Sequence, residues 1–121
     1  MTQDRPHGGV SRSEIVTNIK ELFRSTLRDL LGPSGLNALE HYLNRKLQDD
    51  MYEVFVSSPS TFYTVLRSFL GKGADAILRI AATKLIEDGK IMGLSAEEFV
   101  ELMKRNDDES YRRFLDSFRR G

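Results

Sequence analysis

The chain has 121 residues, with 18 basic and 18 acidic side chains and no cysteine. This length fits one domain and allows about 65% of the unfolded chain's surface to be buried, so a hydrophobic core can form without cross-links. The lack of cysteine excludes disulfides, thiolate metal sites and cysteine nucleophiles. The balanced charge removes any global electrostatic attraction to nucleic acid or to a membrane.

The first ten residues are predicted to form a flexible arm. They include Pro6, His7, Gly8 and Gly9 and contain no apolar run, which is unlike a signal peptide. No apolar stretch in the chain approaches the roughly 18 residues that a membrane-spanning helix requires. We therefore expect a cytoplasmic protein with a disordered arm, 1–10, and a single helical domain, 11–121.

Two amphipathic helices are predicted in the first half of the domain. Apolar residues recur at three- and four-residue steps through 15–31, and Ser11 and Glu14 have the spacing of a capping box. Gly32, followed by proline, is typical of a helix end. Leucines at the same helical spacing predict a second helix at about 36–48.

The segment 51–60, MYEVFVSSPS, is harder to assign. Its apolar residues alternate in part as in a strand, but the sequence offers no second strand for pairing. We therefore expect a short helical turn or an extended connector. Pro59 directly after Ser58 indicates that a third helix begins there, because proline at the first helical position lacks only an amide that would have no partner.

The remaining segments also have helical periodicity. Apolar residues in 74–86 cover more than half of the helix circumference, which predicts that this helix lies at the centre of the core. Ser95 and Glu98 form a second capping-box pattern, and residues 106–110, NDDES, start a last helix. The prediction is an all-α fold, a single compact bundle of about five or six short amphipathic helices.

The stretch Gly71-Lys72-Gly73 superficially resembles a phosphate-binding loop. Such a loop follows a strand, has glycines five positions apart and carries a hydroxyl residue after its lysine. In this chain a predicted helix precedes the glycines, they are two positions apart, and Ala74 follows. A joint between two helices explains the stretch better.

Groups able to perform catalysis are sparse. His41 has no obvious partner, and one helical histidine is a weak candidate for a metal ligand or a general base. The serines around Pro59 lack a nucleophile elbow, and the acidic clusters at 97–101 and 107–109 suit the first turns of helices better than a calcium loop. We predict that the protein is not an enzyme and has no cofactor or metal.

The C-terminal segment ESYRRFLDSFRRG holds the strongest candidate site. Its apolar residues follow i, i+3, i+4, i+7 spacing, and arginines surround them. The helix could dock on the core, bind a protein partner, or contact phosphates or anionic lipid. The candidate interaction residues are Tyr111, Phe114, Leu115 and Phe118, and the candidate phosphate or nucleic-acid contacts are Arg112, Arg113, Arg119 and Arg120.

Residues 35–86 resemble a family of short, uncharacterised archaeal all-helical proteins. The resemblance rests on a leucine-rich helix, the connector Tyr-Glu-Val-Phe at 52–55, a helix that begins Pro-Ser-Thr-Phe-Tyr at 59–63, and the step Gly-Lys-Gly-Ala at 71–74. These motifs are mostly apolar and capping residues. The resemblance therefore implies a shared helical core and no particular chemistry.

The preferred functional hypothesis is a non-catalytic interaction or regulatory module that binds a protein partner or a second copy of itself. Aromatic residues such as Tyr52, Phe55 and Phe62 are candidate anchors for the interface. One alternative is nucleic-acid binding by the C-terminal arginines, with Arg24 and Arg28. Another is a small-ligand carrier or enzyme with a pocket inside the bundle, for which the polar groups are His41, Tyr42 and Lys72.

Overall fold

The computed structural model describes residues 11–118. Within this range the chain forms helices and no strand, which confirms the predicted all-α bundle. The predicted arm, 1–10, lies outside the described residues. The helices are α1 (Arg12–Leu47), α2 (Met51–Ser57), α3 (Pro59–Leu70), α4 (Gly73–Glu87), α5 (Ala96–Lys104) and α6 (Asp108–Asp116).

Helix α1 bends sharply at Gly32. The backbone there has φ 80° and ψ 163°, which is outside the helical region and is accessible almost only to glycine. Arg24 and Glu40 lie on opposite sides of the bend, and their side chains are joined at 2.7 Å from Nε to Oε2. In a straight helix their Cα atoms would be about 24 Å apart, too far for a contact. The two halves therefore fold back towards one another, as the predicted break requires.

The predicted helix starts have the expected local chemistry. Both capping boxes contain two reciprocal hydrogen bonds. The hydroxyl of Ser11 accepts from the amide of Glu14, and the carboxylate of Glu14 accepts from the amide of Ser11. Ser95 and Glu98 form the same two bonds at the start of α5. Pro59 is the first residue of α3. These short-range contacts fix where the helices begin.

The centre of the core is the short helix α2. Five of its seven residues are buried, and the Phe55 ring lies between α1, α3, α5 and α6. Phe55 stacks on Phe23 with 4.5 Å between ring centroids and meets Phe62 edge to face at 5.2 Å. The helical alternative predicted for this segment is confirmed.

The prediction that 74–86 forms the centre of the core was wrong. One side of α4 is buried through Leu78 and Leu85, but Ile80 is 44% exposed, and Ile77 is only partly buried. Helix α4 packs on α1, α3 and α5 and leaves its remaining side open. Its wide apolar surface therefore extends beyond what its neighbours cover.

The last helix docks on the same core. Phe114 stacks on Phe99 of α5 at 5.0 Å and meets Phe55 edge to face at 6.0 Å. The loop before α5 is tied to the end of α6 by a hydrogen bond of 2.8 Å from the Met92 amide to the Ser117 carbonyl. Within residues 11–118, every helix is too short or too polar to cross a bilayer.

Candidate interaction surfaces

Tyr42 of α1 and Phe69 of α3 form an aromatic pair at the surface. Their ring centroids are 4.8 Å apart, and Phe69 is 37% exposed. The Tyr42 hydroxyl is 3.1 Å from the Ser68 hydroxyl, which fixes the pair against α3. The Lys46 Nζ lies 5.8 Å from the centroid of the Tyr42 ring, within the range of a cation–π interaction. We call these residues, together with Arg45, the α1–α3 aromatic face.

The α1–α3 aromatic face is positively charged although the whole chain is neutral. Arg45 and Lys46 are exposed, and they lie three and four residues after Tyr42, on the same side of α1. Helix α3 contains no acidic residue. In the second half of α1 the only carboxylate is Glu40, and it is held by Arg24 and by Tyr52 of α2. Neither Arg45 nor Lys46 forms an ion pair within residues 11–118.

A second open surface lies between α4 and the start of α5. Ile80 is exposed in its lining, and the depression has a volume of about 440 Å³. Arg79 stands on the α4 wall and Glu97 on the α5 wall, and neither forms an ion pair within residues 11–118. We call this depression the α4–α5 groove; its other lining residues include Ala76, Thr83 and Ala96.

Two polar clusters connect helices. The Glu40 carboxylate accepts hydrogen bonds from Arg24 at 2.7 Å and from the Tyr52 hydroxyl at 2.6 Å. Burial raises the pKa of Glu40, but these two hydrogen bonds outweigh it, and the pKa lies below its ordinary value. Burial and the hydrogen bond to Glu40 raise the pKa of Tyr52, so its hydroxyl remains a donor. Both pKa shifts favour a charged Glu40 carboxylate next to a neutral Tyr52 phenol.

The second cluster lies on the surface where α3, α4 and α5 meet. Lys104 forms an ion pair of 2.8 Å with Asp75, and the Tyr63 hydroxyl donates to the same carboxylate. The Lys104 hydrogen bond, followed by that from Tyr63, lowers the pKa of Asp75. Each member of the cluster already has a partner, so its evident role is to join three helices.

The four candidate interaction residues of the C-terminal helix lie against the core. Phe114 and Phe118 are buried, and Tyr111 and Leu115 are partly buried against the same cluster. The Tyr111 hydroxyl donates to the Val56 carbonyl at 3.3 Å. The structure therefore favours the docked-helix interpretation, because α6 would have to leave the core before these residues met a partner.

The candidate phosphate contacts are only partly described. Arg112 and Arg113 are exposed on α6, whereas Arg119 and Arg120 lie outside the described residues. Arg113 borders a cleft of about 540 Å³ that also contains Glu97, Glu98 and Glu101. These carboxylates would repel a phosphate placed at Arg113.

The residues named for an internal ligand pocket do not converge. His41 and Lys72 are exposed, and Tyr42 is at the surface, bonded to Ser68. Among residues 11–118, no group of three or more His, Asp or Glu side chains is placed to hold a metal ion. The candidate aromatic anchors Tyr52, Phe55 and Phe62 are buried in the core and are not exposed to a partner.

Sequence reasoning missed both open surfaces. The α1–α3 aromatic face requires residues 26 or more positions apart to meet, and only the fold brings them together. The α4–α5 groove was not predicted because Ile80 belongs to a pattern of apolar residues that indicated a buried helix. One signal was available in advance: α3 has apolar residues on a wide arc and no acidic residue.

Comparisons with protein-family models, with curated proteins and with solved structures gave no significant match. The resemblance of residues 35–86 to archaeal helical proteins therefore stays a prediction.

Proposed function

We propose that this protein is a small non-catalytic binding module whose α1–α3 aromatic face docks a partner protein. The observation that carries the proposal is the surface pair Tyr42–Phe69 beside two cations, Arg45 and Lys46, that form no ion pair within residues 11–118. Aromatic residues and arginine are enriched at protein interfaces, and tyrosine and arginine are among the side chains that most often dominate the binding energy. The complementary partner has an apolar surface bordered by carboxylates.

A protein partner suits this face better than a nucleic acid. Single-stranded nucleic acids stack bases on free aromatic faces. Here the Tyr42 ring already contacts Phe69 and lies under the Lys46 ammonium group, and it is partly buried. Among residues 11–118, Lys46 is the cation placed over the Tyr42 ring, and Arg45 lies beside it on α1, which is less charge than a groove that follows a phosphate backbone normally has.

The test is capture followed by reconstitution. The immobilised full chain is exposed to extract from its source organism, beside the variants Phe69→Ser and Met92→Ser. Met92 is a matched control because it is apolar and 58% exposed but lies in the loop before α5. A specific partner should be captured by the wild type and by Met92→Ser and lost with Phe69→Ser.

The captured protein is then purified and its affinity is measured by calorimetry at two salt concentrations. We expect Phe69→Ser to weaken the affinity at least about tenfold, as for an interface anchor. Added salt should weaken it moderately through Arg45 and Lys46. Equal affinity of wild type and Phe69→Ser, or recovery of nucleic acid in place of protein, would contradict the proposal.

A further inference from the structure

The α4–α5 groove is separate from the α1–α3 aromatic face and exposes an apolar side chain of its own. Ile80 is 44% exposed in the middle of α4, a position where a single amphipathic helix of a monomer normally carries a polar residue. Its neighbours along the groove, Ala76, Thr83 and Ala96, are small and leave the isoleucine accessible. The groove thus offers an apolar centre that a second surface can cover.

The charges at the rims of the groove are arranged in opposite signs. Arg79 lies on the α4 wall and Glu97 on the α5 wall, and both are exposed. They border the same groove but are not within ion-pair distance of each other. A partner that presents a carboxylate opposite Arg79 and a cation opposite Glu97 satisfies both.

We propose that the occupant of the groove is a second copy of this chain, related by a two-fold axis that runs along the groove. Such a rotation places the α4 wall of each copy opposite the α5 wall of the other, and every contact occurs twice, as an isologous interface requires. Arg79 of each copy then faces Glu97 of the second copy, and the two Ile80 side chains meet at the axis. The rims of the groove are therefore self-complementary in charge, and each copy covers the exposed isoleucine of the other.

The two ion pairs give the dimer its orientation more than its affinity. Ion pairs at the rim of an interface favour the correct register and suppress wrong ones, because like charges then oppose each other. An axis across the groove would place Arg79 against Arg79 and Glu97 against Glu97. Since the apolar centre is one isoleucine per copy, we expect weak association that depends on protein concentration.

The test is sedimentation equilibrium of the full chain from micromolar to millimolar concentration. The wild type should associate reversibly to a dimer. Ile80→Glu should raise the dimer dissociation constant at least about tenfold, because it buries two carboxylates against each other. Phe69→Ser, on the α1–α3 aromatic face, should leave the dissociation constant unchanged.

The charge variants test the register of the two copies. Arg79→Glu and Glu97→Arg should each weaken the dimer, and the double variant should restore it, because the pair is rebuilt with reversed signs. Glu97 also borders the cleft that contains Arg113, so the restoration in the double variant is the decisive result. All three positions are exposed, and circular dichroism should confirm that every variant folds.

Three results would overturn the inference: a wild type that is monomeric at every concentration, a dimer unaffected by Ile80→Glu, or a double charge variant no stronger than the single ones. A dimer lost with Phe69→Ser would overturn it as well, since it would assign self-association to the α1–α3 aromatic face. A monomeric wild type that still captures its partner through Phe69 would refute the dimer and leave the proposed function intact.

Discussion

At the scale of single residues, Phe55 is the point where aromatic side chains from most of the helices meet. Its ring lies within 6.5 Å, measured between centroids, of Phe23, Phe62, Phe99, Phe114 and Phe118. These rings come from α1, α3, α5, α6 and the turn that follows α6, so one side chain joins five parts of the chain. Edge-to-face and offset contacts of this kind add to the free energy gained by burial.

Replacing Phe55 by alanine is therefore expected to lower the free energy of unfolding by about 3–5 kcal/mol, because a large cavity opens where five neighbours cannot all move inwards. Urea denaturation followed by circular dichroism measures the change. Phe69→Ala is the control, since the same atoms are removed from a ring that is 37% exposed. An equal loss for the two variants would show that Phe55 is not the centre of the core. Phe55→Leu provides a milder change if the alanine variant does not fold.

At the scale of helices, the parts of the fold that depend on neighbours in sequence were predictable. Ser11 and Ser95 form capping boxes with residues three positions later, and Gly32 ends the first helical segment, all within one or two turns. The depth of a helix in the core was not predictable from its own pattern. Helix α2 has only seven residues, too few to reveal a helical period in its apolar residues. The exposure of Ile80 depends on which helices pack on α4.

The bend in α1 allows a measurement of how much the backbone conformation of one glycine contributes to the stability of the fold. A Cβ added at Gly32 or at Gly73 would meet no other atom within 4 Å, so neither substitution by alanine creates a clash. The difference lies in the backbone, since Gly32 has φ 80° and ψ 163°, whereas Gly73 is the first residue of α4 and lacks a positive φ.

Gly32→Ala should lower the free energy of unfolding by about 1–3 kcal/mol, the cost of placing a side chain in that conformation. Gly73→Ala should be neutral or stabilise the protein by up to about 1 kcal/mol, because the unfolded chain loses freedom and the folded backbone accepts alanine. Thermal and urea unfolding of both variants provide the measurement. If the two glycines responded alike, the bend at Gly32 would not be maintained by its backbone conformation.

At the scale of the whole molecule, two polar clusters link helices that are distant in sequence. Glu40 joins the two halves of α1 to α2, and Asp75 joins α4 to α3 and α5. The spacing of the residues did not predict either cluster, because the members of each cluster are at least 12 residues apart and meet only after the helices have packed. The same reason explains why the Tyr42–Phe69 pair was absent from the predicted interaction site.

The Glu40 cluster makes the stability of the whole domain depend on pH. The Glu40 side chain is only 19% exposed, and hydrogen bonds from Arg24 and Tyr52 lower its pKa in the folded state despite its burial. A carboxyl group with a lowered pKa binds fewer protons in the folded than in the unfolded protein. Its contribution is therefore fully present above the unfolded pKa of about 4.3 and is lost as the pH falls through the folded pKa.

Glu40→Gln keeps the size of the side chain and removes the charge. We expect it to lower the free energy of unfolding by about 1–3 kcal/mol at neutral pH, because two hydrogen bonds to a charged group are weakened or lost. Urea unfolding from neutral to acidic pH should show the difference between wild type and variant shrinking as the pH falls below about 4.3. Glu53→Gln is the control, since Glu53 is exposed on α2. A difference that stays constant down to the acid limit, or that grows there, would mean that the charged form of Glu40 does not stabilise the bend between the halves of α1.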